Sequence, residues 1–393
     1  YAEACNNLGN VLREKNDFEA ATKSFKMAIE YKADFADAYN NLGITLSNVG
    51  HPEAAIDSYR QALRIKPDFA KAHLNMGNSL SQKGFLKAAI NSFKEAIKIN
   101  PNYSVAYNNM SSALISGAEI KAALVSCKKA LKINPNDADA AWNLSGLAGN
   151  ISESVNSLER CIQADQTHLK AKLTLSALRY YQGDKSSFNQ LMQSSLKDHP
   201  LVRSFAWAFS LQELPELHFH RWALFDSVIG QSELTRPFYE FGVWRGESFQ
   251  YLLKAFKKGY GFDTFEGLPE DWHNQKAGSY SSDGAVPRIK GGEFIVGEFN
   301  ETLPVFFSVA QPMASVINFD ADLYSSTLSA LNYSKPVIDQ FTILIFDEFI
   351  TNDNWEQDEF KALNEFCFQN DYTYKVIAIS FFTKQVAVKL DGI

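Results

Sequence analysis

Phe238-Tyr239-Glu240-Phe241-Gly242-Val243-Trp244-Arg245-Gly246-Glu247-Ser248 is the stretch on which the reading of this chain turns. A short apolar run meets a carboxylate, passes two glycines and opens into the helical spacing of Phe249, Tyr251, Leu252, Leu253 and Phe256. That order is strand, Gly-rich turn, helix. Glycine lets backbone amides approach a ligand with no Cβ between, and a helix start adds donors, so nucleotide-like cofactors sit on such turns. The motif recurs across α/β domains, and its meaning rests on what surrounds it.

Outward from it, strand patterns fall at residues 238–243, 259–263, 294–297, 315–320, 342–347, 374–380 and 385–390, with helical patterns near 246–257, 303–310, 326–339 and 354–369. Strands separated by helices predict a Rossmann-like α/β domain over residues 236–393, with a seven-stranded, mostly parallel sheet. The last two strands, joined by Phe381-Phe382-Thr383-Lys384, are expected to form a hairpin. A seventh strand inserted antiparallel marks the class I methyltransferase fold and separates it from a nicotinamide dehydrogenase.

Ligands of such sheets bind beyond the carboxyl ends of the strands. Each strand here ends there in something polar: Glu240 and Gly242, then Asp263, then Asp320 with Asp322, then Asp347-Glu348. Asp263 follows the turn by about twenty residues, where a carboxylate can accept both hydroxyls of a ribose. Carboxylates crowded at one end of a sheet repel one another, so a cation between Asp320, Asp347 and Glu348 is the economical expectation.

Four motifs then carry a resemblance. They are Phe241-Gly242-Val243-Trp244-Arg245-Gly246; Gly261-Phe262-Asp263-Thr264-Phe265-Glu266-Gly267-Leu268-Pro269; Gly297-Glu298-Phe299-Asn300-Glu301-Thr302-Leu303-Pro304; and Asp320-Ala321-Asp322-Leu323-Tyr324-Ser325-Ser326-Thr327. In this order they resemble the macrocin O-methyltransferase family across residues 236–390. The resemblance implies S-adenosylmethionine as methyl donor, a divalent cation, usually Mg2+, and a sugar hydroxyl as acceptor. It implies that Glu240, Gly242 and Gly246 border the methionine part of the cofactor and Asp263 its ribose. It further implies that Asp320, Asp347 and Glu348 hold the metal, although the family usually has two aspartates after a Gly-Gly turn where this chain has Asp347-Glu348.

An alcohol is a poor nucleophile until it loses its proton, so a base is needed. The candidates are Asp322 and His273, the latter in a polar loop that runs from Pro269 to about Gly292 and has the character of a lid. Trp244 and Tyr324 are candidates to border the acceptor.

The first half reads differently. At a period of 34, Asn7-Leu8-Gly9, Asn41-Leu42-Gly43, Asn75-Met76-Gly77, Asn109-Met110-Ser111 and Asn143-Leu144-Ser145 fall in one column. Further columns hold Ala20, Ala54, Ala88 and Ala122; Phe25, Tyr59, Phe93 and Cys127; and Ala33, Pro67, Pro101 and Pro135. Each unit has two helical patterns, a small residue where they cross and a proline that stops the second. After a three-residue deletion near 147–154, Gln166 and Pro200 continue the proline column and give six units over residues 1–200. These columns resemble tetratricopeptide repeats, an all-α superhelix. Because the first unit begins at Ala2 with no initiator methionine, more repeats are expected ahead of it.

The column Asn7, Asn41, Asn75, Asn109 and Asn143 is expected to face the concave side, as an amide ladder able to hold a protein or peptide partner. The plainer expectation is that these asparagines tie neighbouring helices together. Residues 201–235 read as a helical junction, two helices broken at Pro215, with aromatic side chains that pack and with His218 and His220 on a half-buried segment.

Charge and cysteine usage narrow the classes. Residues 1–200 carry 23 Lys and Arg against 19 Asp and Glu, and residues 201–393 carry 15 against 26. The acidic half would repel a phosphate backbone, which disfavours nucleic acid. No membrane span or signal peptide is evident, and the four scattered cysteines lack metal or redox spacing, so a reducing, cytoplasmic setting is expected. The expected function is a metal-assisted O-methyltransferase on a sugar or glycan hydroxyl, joined to a partner-binding array. The alternative is a non-catalytic tetratricopeptide scaffold whose second domain kept the fold and lost the chemistry.

Overall fold

Gly9, Gly43 and Gly77 explain how the repeats close. A Cβ on these residues would come within 2.5–2.6 Å of the rings of Phe25, Tyr59 and Phe93, sixteen residues on. The glycine is therefore the space the ring fills. Where the large residue becomes the smaller Cys127, the glycine becomes the larger Ser111, both buried, so the two positions change size in opposite directions. The computed structural model describes residues 1–273 and 275–392. It forms two compact units, Tyr1–Leu144 and Ser145–Ile393.

The first unit is helical hairpins: Ala2–Glu14 with Phe18–Tyr31, Ala36–Asn48 with Pro52–Ile65, Ala70–Gln82 with Leu86–Ile99, and Ser104–Ser116 with Ile120–Ile133. Pro67, Pro101 and Pro135 stand two residues past the helix ends, where a proline cannot continue the helix. A last helix, Ala138–Ser145, begins a fifth hairpin.

The second unit contains the helices Ile151–Ala164, Leu169–Tyr181, Ser186–Met192 and Pro200–Ser210, and the sheet. The expected boundary near Pro200 lies inside this unit. Leu173, Ala177, Phe188, Leu201, Val202 and Phe205 share one core with the strands. Phe205 packs edge-on against Phe381 with ring centroids 4.6 Å apart, and Trp207 lies against Phe349, Trp355 and Phe360. Arg203 bridges to Glu356 at 2.6 Å. The junction aromatics pack within the sheet unit.

The sheet has eight strands: β1 Glu216–His218, β2 Phe238–Phe241, β3 Gly259–Asp263, β4 Gly292–Val296, β5 Val316–Phe319, β6 Ile343–Phe346, β7 Thr373–Ser380 and β8 Val386–Asp391. Their order is β1-β7-β8-β6-β5-β2-β3-β4. All neighbours are parallel except β8, which runs antiparallel between β6 and β7. β2, β5 and β6 are buried on both faces, which is why they read as unbroken apolar runs.

Two expectations are corrected. The sheet has eight strands where seven were expected, because β1 lies in the stretch assigned to a helical junction. Three residues after Pro215 carry no readable periodicity; they are extended because the edge of β7 is there to pair with, Leu217 opposite Ile379. The junction is thus helix, short strand and the helix Arg221–Gly230.

Candidate functional site

The asparagine column comes first, being the simpler of the two candidate sites. Asn41 Nδ2 donates to Asn6 Oδ1 at 3.0 Å, Asn75 Nδ2 to Asn40 Oδ1 at 3.0 Å, Asn109 Nδ2 to Asn78 Oδ1 at 2.8 Å, and Asn143 Nδ2 to Asn108 Oδ1 at 2.8 Å. The column ties each hairpin to the one before it. Asn41, Asn75, Asn109 and Asn143 stay half-buried and Asn7 exposed, so each amide keeps surface of its own. A primary amide has two donors and an acceptor with two lone pairs, so the lateral bonds donated by these amides, two of them at Asn143, leave the acceptor for another partner.

The observed period, hairpins and small-for-large pairing decide the kind of array. Residues 9–137 are tetratricopeptide repeats. The TPR repeat family matches residues 9–50 and 52–84, and tetratricopeptide repeat families match 35–66, 70–103 and 104–137. Among solved structures the chain is similar to PilF of Pseudomonas aeruginosa, at 21% identity and a TM-score of 0.45, covering 49% of this chain and 90% of that one. It is also similar to MamA, at 23% identity and a TM-score of 0.38 (41% and 96% covered), and to YrrB, described as a TPR protein with an unusual peptide-binding site, at 21% identity and a TM-score of 0.40 (48% and 100% covered). No curated protein matches the chain. Tetratricopeptide repeats are protein-interaction scaffolds, and no helix among the described residues is long and apolar enough to cross a membrane.

The second candidate site lies at the carboxyl ends of the strands. Past β2 the backbone turns through left-handed conformations at Gly242, Trp244 and Gly246. At Gly242 glycine is required twice over: φ is +87°, and a Cβ would collide with the Asp320 carbonyl. The turn is therefore pressed against the tip of β5. Asp263 ends β3 and holds the turn, accepting from the Val243 amide at 2.6 Å and the Trp244 amide at 2.7 Å on Oδ2, and from the Phe265 amide at 2.6 Å on Oδ1. The helix after the turn is short, Glu247–Leu252.

Glu240 is fully buried. Its Oε1 accepts from Ser248 Oγ at 2.6 Å, while Oε2 makes no well-formed hydrogen bond to the described residues, with Asn318 opposite it in register. Burial pushes its carboxyl up to about 8, and the Ser248 bond and Arg221 oppose that rise. Asp320 and Asp322 are half-buried and are held well above the carboxylate range, first by burial and next by Asp347 and Glu348 respectively. Glu348, at the tip of β6, is raised by burial against the pull of Lys384. These groups also act electrostatically on one another, so Glu240, Asp320, Asp322, Asp347 and Glu348 form one acidic cluster.

Cations of the chain itself enter that cluster. The Arg221 guanidinium donates through Nη2 to both oxygens of Asp347. Gln385 Nε2 adds a bond to Asp347 Oδ1 at 2.7 Å. Lys384 Nζ reaches Glu348 Oε2 at 2.6 Å, and Asn352 Nδ2 reaches the same oxygen at 2.8 Å. Glu359, buried and pushed well above its usual range by burial, accepts from the Glu348 amide at 2.9 Å. Among the described residues, no group of three or more His, Cys, Asp or Glu side chains is arranged to hold a metal ion. The expected metal set Asp320, Asp347 and Glu348 is together in space but does not fit a divalent cation, because two of its members already serve side-chain cations. The reason is charge compensation by residues distant in sequence.

The loop candidates divide. His273 Nε2 lies 2.9 Å from Asp358 Oδ2 with the ring against Trp272, the arrangement of a base with an orienting carboxylate. Tyr280 meets Trp244 edge-on at 5.9 Å, and its hydroxyl is pushed up to about 12 by burial and then by Asp322, Glu348, Asp320 and Asp347. The loop thus lies over the cluster. Tyr324 instead donates to Glu365 at 2.6 Å and serves packing. His220 caps the helix Arg221–Gly230, its Nδ1 accepting from the Ala223 amide at 3.0 Å, and burial holds its pKa down near 4. Sequence reasoning missed Arg221, Ser248, Lys384, Gln385 and Glu359. The signal for Arg221 was faint: a basic residue opening an apolar helix, away from the usual place for one at the C-terminal end.

Proposed function

We propose that the chain joins a protein-docking tetratricopeptide array to a domain that binds S-adenosylmethionine and transfers its methyl group to a hydroxyl, on a sugar or glycan by family resemblance. The observation that carries this reading is the antiparallel strand β8 lying between β6 and β7 in an otherwise parallel sheet. The Gly242–Gly246 turn at the tip of β2 supports it, as does the buried Glu240 carboxyl beside that turn, whose Oε2 makes no well-formed hydrogen bond among the described residues.

When bound, the cofactor would supply an electrophilic methyl on a sulfonium. The chain supplies the rest. Glu240, Gly242 and Gly246 would hold the methionine end, and Asp263 would keep the turn in shape while its remaining lone pair on Oδ1 meets a ribose hydroxyl. Asp322, whose proton affinity burial raises, and His273, oriented by Asp358, are the groups to accept the acceptor's proton. The loop around Tyr280 would exclude water.

A second reading has its own support. Asp263 already accepts three backbone bonds, and Asp347 and Glu348 are engaged by Arg221 and Lys384, as in a domain that kept its fold while its chemistry lapsed. Calorimetry separates the two. Heat on titrating S-adenosylmethionine and S-adenosylhomocysteine, lost in Gly242→Val, supports the enzyme; no heat, with or without Mg2+, leaves the scaffold.

A further inference from the structure

We infer that Arg221, with Lys384, takes the place of a divalent cation at the strand tips, and that this domain keeps free metal ions out of the cluster. Three carboxylates, Asp320, Asp347 and Glu348, would carry three negative charges in one partly dry place. Arg221 touches both oxygens of Asp347 and interacts electrostatically with Asp320 and Glu348, the same three groups that a bound metal would draw together. Lys384 neutralises Glu348 from the hairpin turn. The two side chains bring two positive charges, as many as a divalent ion.

The substitution is built into the fold. His220 caps the helix that starts at Arg221, and β1, which precedes it, is anchored to β7. Gln385 sits at the start of β8 and bonds Asp347 from the other side. A guanidinium stays charged at any ordinary pH, so it cannot vacate the site by losing a proton. A hard cation needs about six oxygen ligands, and both oxygens of Asp347 and one of Glu348 are already taken by nitrogen donors. The inference concerns occupancy of the cluster and holds whether or not the domain transfers methyl groups.

Mn2+ titration followed by electron paramagnetic resonance, on the full chain, is the test. The wild-type protein should bind no Mn2+ below about 1 mM, and Arg221→Met should gain a site at least roughly tenfold tighter that Asp347→Asn abolishes. Arg221→Lys, which keeps the charge, should exclude Mn2+ as the wild type does. Wild-type binding that Asp347→Asn removes would overturn the inference, and so would a folded Arg221→Met that gains no site. Should Arg221→Met fail to fold, the wild-type titration alone still decides.

Discussion

The two units solve the same problem, holding polar groups in place, at opposite distances along the chain. In the repeats an asparagine reaches its partner 31 or 35 residues away, and the same contact recurs at each step. In the sheet unit, Arg221 reaches Asp347 across 126 residues and Lys384 reaches Glu348 across 36, each once. A local, repeated contact leaves a column in the sequence. A distant, single contact leaves nothing until the chain is folded.

The largest effect should come where the helices after Ser145 enter the sheet core. Phe205 is completely buried against Phe381, so Phe205→Ala should cost about 3–5 kcal/mol. Hydrogen exchange should locate the loss in the sheet unit and leave residues 1–144 protected. Loss confined to the repeats would mean that these helices belong with the array.

Next is the pair at the strand tips. Asp347→Ala removes the partner of a half-buried guanidinium and should cost roughly 3 kcal/mol in denaturant unfolding, whereas Arg221→Met with Asp347→Leu together should recover much of it. A double mutant no better than the single would show that the contact is not a pair.

Glu240 gives a pH signature. Its folded pKa lies above that of an unfolded glutamate, so the neutral form is favoured by folding. Its contribution is fullest below about pH 4.5 and falls as pH rises toward 8. Glu240→Gln mimics the neutral acid beside Ser248 and Asn318, with Arg221 and Asp347 the charges that act on it. The variant should match the wild type near pH 5 and exceed it by about 1–3 kcal/mol at pH 8.5. Equal stability at both values would place Glu240 in a wetter setting.

The smallest effect is in the repeats. Asn75→Ala deletes one inter-repeat bond and should cost about 1 kcal/mol, because a net hydrogen bond contributes little and water replaces it at a half-buried position. A loss several times larger would make the column a cooperative network.

Much of this was legible beforehand. Seven of the eight strands follow from apolar runs of four to eight residues bounded by turns, and the repeats from a fixed period. The candidate site was legible only as far as its anions. Glu240, Asp320, Asp322, Asp347 and Glu348 each end a recognisable strand, but the groups that answer them come from a capped helix, a hairpin turn and a later helix. No spacing links them. The missed strand β1 is the same case, since three residues become a strand through the edge they meet.

By itself, then, the sequence determined the period of the repeats, the alternation of strand and helix, and the gathering of carboxylates at one end of the sheet, because each is a local pattern of burial or turn chemistry. Only the tertiary structure decided what neutralises those carboxylates and where the helices after Ser145 pack. Charge is compensated through space, and a protein side chain brought there by the fold serves that role as readily as an ion from solution.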